Sequence, residues 1–179
     1  TGWMAATTMD FWQNFPKALR LEDGALSIGL FPSECATGFE LQGGEQKRHT
    51  LFLDFGLHGR EPVIPAMQEP LAPSLDPTWI EQCGAISSFA AAESNGDQSC
   101  AKYVDSIIEG PNSFFRKREV VDEYGWRNFG DLYADHEAVH HGGPKPMVSH
   151  YNNQYDFVYG SAIQFLRSGD SRWHRLMED

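Results

Sequence analysis

The chain has 179 residues, of which 41% are hydrophobic and 13% aromatic, enough for one ordinary domain or two small ones with a packed core. Its net charge of −11 argues against a general nucleic-acid binder, which needs a basic footprint to neutralise phosphates. The sequence holds no apolar run of about 18 residues, so it offers no helix to span a membrane.

In chain order, residues 17–31 (KALRLEDGALSIGLF) predict a β-hairpin, with apolar residues alternating on either side of Asp23-Gly24. Residues 39–56 repeat the theme, with FELQ, a Gly43-Gly44 break and a strand-like KRHTLFLDFG. The first third therefore reads as antiparallel sheet with one wet face. Residues 57–78 carry Pro62, Pro65, Pro70, Pro73 and Pro77, a density that disfavours central strands and long helices and predicts an irregular connection. Residues 78–109 suit one or two short helices, broken at Ser94-Asn95-Gly96-Asp97.

The β-branched and aromatic content of residues 112–135 (NSFFRKREVVDEYGWRNFGDLYAD) predicts one or two strands ending near Gly125 or Gly130. A His-rich loop broken by glycine and proline follows (HEAVHHGGPKPMVSH). Beyond Asn152 the period becomes helical, with Phe157, Ile163, Phe165 and Leu166 on one core-facing stripe. Ser168-Gly169-Asp170 ends that helix, and Asp170 or Ser171 caps a second, RWHRLMED. Two amphipathic helices cannot bury their stripes alone, so the chain reads as a piece of a larger protein.

Cysteine usage leaves two readings open. A bridge between Cys83 and Cys100 would close a medium loop and contribute about 3 kcal/mol. Three free or buried thiols, Cys35 included, are an equal alternative, and no metal-ligand spacing joins them. His136-Glu137-Ala138-Val139-His140 matches the zinc-protease pentad H-E-x-x-H literally. That chemistry needs a sustained helix to bring both imidazoles to one face, and Gly142-Gly143-Pro144 cuts one off two residues later. A loop histidine reaching a substrate is the preferred reading, with no metal and no cofactor.

Four blocks carry a family resemblance: residues 11–32 (FWQNFPKALRLEDGALSIGLFP), 40–56 (ELQGGEQKRHTLFLDFG), 125–137 (GWRNFGDLYADHE) and 149–179 (SHYNNQYDFVYGSAIQFLRSGDSRWHRLMED). In this order they resemble the exo-rhamnogalacturonan lyases, large polysaccharide lyases. The resemblance implies an α+β chain, an antiparallel β-sandwich portion followed by the first helix pair of an (α/α) toroid. Residues 1–148 would be sandwich with a long irregular loop, and 149–179 the start of a truncated toroid. It also implies β-elimination on a uronate-containing, rhamnogalacturonan-type pectin, and a secreted or periplasmic location. The partners implied are an acidic polysaccharide and the rest of a parent chain or neighbouring subunits, with no nucleic acid and no membrane. The alternative is a non-catalytic carbohydrate-binding or assembly module built on the same fold.

A uronate lyase must neutralise the C6 carboxylate, remove the C5 proton and protonate the departing oxygen. The resemblance makes His150 or Tyr151 base or acid, Asn152 or Asn153 with Arg127 the carboxylate neutraliser, and His136 an auxiliary. Tyr155, Trp126 and Lys145 are the substrate-binding candidates. Each has a plainer reading. Asn152 and Asp156 serve as helix caps, Tyr155 and Tyr159 as a packed i, i+4 pair. Arg127 pairs with Asp131 or Asp135, and a lone tryptophan such as Trp126 fills a core. The basic runs Arg116-Lys117-Arg118 and Lys47-Arg48-His49 are ordinary solvated faces, yet such patches would offset the repulsion between a −11 chain and a polyanion.

Overall fold

Four strands, β1 (Gly2–Thr8), β2 (Ala18–Glu22), β3 (Ala25–Gly29) and β4 (Leu51–Leu57), form two two-stranded antiparallel sheets in a computed structural model. The structure describes residues 2–63, 71–94, 96–131, 140–144 and 156–179. Among these, five α-helices follow the strands: α1 (Pro77–Cys83), α2 (Gln98–Ile108), α3 (Phe114–Val121), α4 (Phe157–Ser168) and α5 (Ser171–Glu178). The fold class is mixed α and β, as expected. The chain divides into two compact units, Thr1–Leu71 with Tyr124–Phe129, and Ala72–Glu123 with Gly130–Asp179. The domain boundary expected between residues 148 and 149 lies outside the described residues.

The first unit holds both sheets. Asp23 (φ 51°) and Gly24 (φ 76°) both take left-handed conformations, the pair that a two-residue hairpin turn requires, and β2 pairs with β3 from Ala18↔Gly29 to Glu22↔Ala25. The hairpin expected over 17–31 forms. The strand expected over 39–56 shortens to β4, and its partner is the N-terminal β1, in register from Gly2↔Leu57 to Thr8↔Leu51. Trp3 lies across Gly56, where a Cβ would stand 2.2 Å from the indole, so only glycine fits there. One face of this ribbon leaves Met4, Leu51, Leu53, Phe55 and Leu57 exposed.

The second unit is helical, and its local signals are strong. Asp76 caps α1, accepting from the Thr78 and Trp79 amides, with Pro77 entering the first turn. Asp97 caps α2 in the same manner through Ser99 and Cys100. Gly169 ends α4 at φ 70°, and Asp170 starts α5 by accepting from the Arg172 amide. The core gathers Ile108, Phe165, Trp173 and Leu176, with Val104, Ile107, Phe114, Phe115 and Phe157 packed against it.

Two expectations are corrected here. Residues 114–121 form helix rather than strand: the Ser113 hydroxyl caps it from the Arg116 amide, and Asp122 closes it at φ 56°. Phe114 and Phe115 reach the core from that helix, while the intervening run of strong helix formers (Arg116-Lys117-Arg118-Glu119) favours the α conformation. The helix expected to start near Asn152 begins at Phe157, where Asp156 takes the cap position at φ 53° without a side-chain hydrogen bond.

Candidate functional site

The open end of the β2–β3 hairpin builds the centre of the first unit. Ala18 pairs with Gly29, so Lys17 and Leu30 come next on the two strands, and Lys17 Nζ donates to the Leu30 carbonyl at 3.3 Å. A Cβ on Gly29 would stand 3.2 Å from Ala18 Cβ and 3.3 Å from Pro32 Cβ, so glycine lets the chain close here. Phe31 follows, and its ring is the hub of the cluster. Edge-on contacts join it to Phe39 (5.1 Å), His49 (5.2 Å) and Trp126 (5.7 Å), and Lys17 Nζ lies 5.9 Å from its centroid.

Two further segments close the ring. The first runs into β4, bringing Lys47, whose Nζ donates to the Phe129 carbonyl at 2.6 Å and lies 5.8 Å from the Phe129 ring. The second is 124–129, tied down by the Gly125 and Trp126 amides, which donate to the Gln13 and Phe15 carbonyls at 2.7 Å each. Beside these bonds Trp12 is 59% exposed, with its ring 4.7 Å from that of Tyr124.

Three basic groups therefore share one aromatic neighbourhood, and they repel one another. Burial, and then the Lys47 charge, pull the Lys17 amine down to about 8. Burial, and then Lys17 and Lys47, pull His49 down to about 4, so its imidazole is neutral at neutral pH. His49 Nε2 is buried and has no hydrogen-bond partner among the described residues. Arg20 pairs with Glu34, Arg60 with Asp54 and Arg127 with Glu45, and no described carboxylate pairs with Lys17. An anion entering here would relieve the amine–amine repulsion and gain charge-assisted hydrogen bonds. A half-buried amine near 8 is also free base in substantial fraction in mildly alkaline solution, which equips it to take up a proton or to act as a nucleophile.

Of the residues expected at the site, two lie in this unit. Arg127 extends an exposed guanidinium to Glu45 at 3.3 Å rather than to Asp131, and the other expected partner, Asp135, lies outside the described residues. Trp126 is half-buried and packs edge-on against Phe31 and Phe39 (5.3 Å), which fits the plainer packing role. His136, Lys145, His150, Tyr151, Asn152, Asn153 and Tyr155 lie outside the described residues, as does most of the H-E-A-V-H pentad. Among the described residues no group of three or more metal-ligating side chains occurs. Cys83 and Cys100 are both exposed free thiols. Lys17 and His49 were not singled out individually by sequence; the signal for them was the hairpin that ends beside Lys17 and the basic run at 47–49. No family model, curated protein or solved structure matches the chain.

Proposed function

We propose that the chain is part of a polysaccharide lyase that cleaves uronate-containing pectin of the rhamnogalacturonan type by β-elimination, acting in a secreted or periplasmic setting. The observation that supports this reading best is the Lys17–Lys47–His49 cluster in its aromatic frame. A −11 chain has little reason to hold two amines together unless an anion shares them, and uronate carboxylates are anions on a ring with apolar faces. Exposed Trp12 beside the cluster's backbone ties offers such a face a stacking surface. The exposed Arg127–Glu45 pair is of the weak surface kind, so a substrate carboxylate competes for Arg127 at small cost.

Proton transfer by His150 or Tyr151, with Asn152 and Asn153 beside them and His136 auxiliary, rests on the family resemblance alone. So does the finer architecture, a sandwich portion leading into a toroid; the α4–α5 pair, packed through Phe165, Trp173 and Leu176, supports its helical part. The second reading is a carbohydrate-binding or assembly module. It is favoured by the cluster itself, whose described groups suit an anion but do not supply an acid and a base together.

One pair of assays separates the readings: sedimentation of the chain with a rhamnogalacturonan polymer, and ultraviolet absorbance of unsaturated uronate in the same mixture. Binding with rising absorbance supports the lyase. Binding with flat absorbance, also for a longer chain carrying further helices, supports the module. Failure to bind any uronate polymer at low salt overturns both.

A further inference from the structure

We propose that Lys17 is a nucleophilic amine that condenses reversibly with aldehydes or ketones carrying a negative charge. This goes beyond the polysaccharide reading and rests on the geometry of the cluster and the charges it gathers. Three observations carry it. Lys17 makes a single long hydrogen bond, 3.3 Å to the Leu30 carbonyl, and no described carboxylate fixes it as ammonium. The residue is half-buried with its Nζ 5.9 Å from the Phe31 ring centroid, so water solvates the charged form less well. Lys47 belongs to the same aromatic neighbourhood, its Nζ held at 2.6 Å from the Phe129 carbonyl and 5.8 Å from that ring, and its charge opposes protonation of Lys17.

Besides Lys17 and Lys47, the described titratable group at the Phe31 ring is His49, whose imidazole is neutral at neutral pH. A lysine made less basic by burial and a neighbouring cation is the standard preparation of an imine-forming amine. The depression of Lys17 to about 8 agrees with that preparation.

The step balances without any oxidant. The free amine attacks the carbonyl carbon, a C–N bond forms, and a proton passes from nitrogen to the carbonyl oxygen. Loss of water then leaves the imine, which hydrolyses back by the reverse path. The positive charge of Lys47 favours an incoming carbonyl compound that carries an anionic group.

The test is limited labelling of the intact chain with pyridoxal 5′-phosphate near neutral pH, followed by borohydride, which reduces the imine to a stable amine for peptide mass spectrometry. Lys17 should label roughly tenfold faster than exposed Lys102, because the gain in free amine outweighs the loss of nucleophilicity that accompanies lower basicity. Its rate should rise with pH through a midpoint near 8. Reductive methylation with formaldehyde, an uncharged probe, should keep Lys17 ahead by a smaller margin, separating amine reactivity from attraction of the anion. Lys47→Met should slow Lys17 labelling several-fold. Labelling of Lys17 no faster than Lys102 with either probe in the unaltered chain would overturn the proposal. Fast labelling of Lys17 in a chain that ignores uronate polymers leaves it standing and removes the polysaccharide reading.

Discussion

Lys17 and His49 take their properties from burial and from groups mostly distant in sequence, which is why neither stood out as a residue. Locally, Lys17 is only the residue before a hairpin, and His49 only the end of a basic run. The ring of Phe31 touches both, and no periodicity or spacing encodes those contacts. Both groups have folded pKa values below their ordinary ones, so each contributes stability above its ordinary value and loses it as pH falls through the folded one. For Lys17 that loss runs from 10.5 down to about 8, and for His49 from 6.5 down to about 4. Side-chain NMR should therefore find Lys17 titrating near 8, and Lys47→Met should move it up; an unchanged midpoint would show that Lys47 does not act on it. Glu123 has the opposite sign. Burial first, then Asp131, push its carboxyl up to about 7 against the pull of Arg118. Its stabilising neutral form is fully present below 4.5 and lost as pH rises through about 7. Glu123→Gln should remove that slope and raise stability above neutral pH by on the order of 1–3 kcal/mol, read by urea denaturation at several pH values.

At the level of elements, legibility follows the range of the deciding interaction. Asp23-Gly24, Asp97, Gly169 and Asp170 act within a few residues, and each put its turn or helix end where the sequence placed it. Residues 114–121 did not, because two phenylalanines and two valines resemble a strand until one sees that Ser113 caps them and the core takes Phe114 and Phe115 from one helix. β1 escaped notice because GWMAATT alternates weakly and gains its strand from β4, more than forty residues away. The caps should be measurable one at a time. Asp97→Ala should lower stability by about 1 kcal/mol by leaving the Ser99 and Cys100 amides without their acceptor. Gly169→Ala forces a Cβ into φ 70° and to 3.3 Å from the Leu75 carbonyl, and should cost roughly 1–2 kcal/mol. Thermal melts of the two variants check both figures, and a Gly169→Ala chain as stable as the parent would refute the left-handed cap.

At the scale of the whole molecule, a strongly acidic chain keeps a basic, aromatic-lined cluster within one of its two compact units. A −11 chain that meets a polyanion would need such a patch to offset repulsion. The sequence order does not reveal it, because residues 124–129 leave their neighbours in the second unit to complete the first. The central claim is that this cluster holds the carboxylate of an acidic carbohydrate. The direct measurement is NMR titration of the intact chain with a galacturonate oligomer at low salt. The account predicts that Lys17, Lys47 and His49 signals shift together and saturably, and that the Lys17 amine becomes more basic as the carboxylate binds. It also predicts that the Lys17→Met/Lys47→Met double variant weakens binding at least about tenfold, an effect that added salt diminishes. Saturable binding that leaves those three side chains unshifted, or that survives the double variant unchanged, would contradict it.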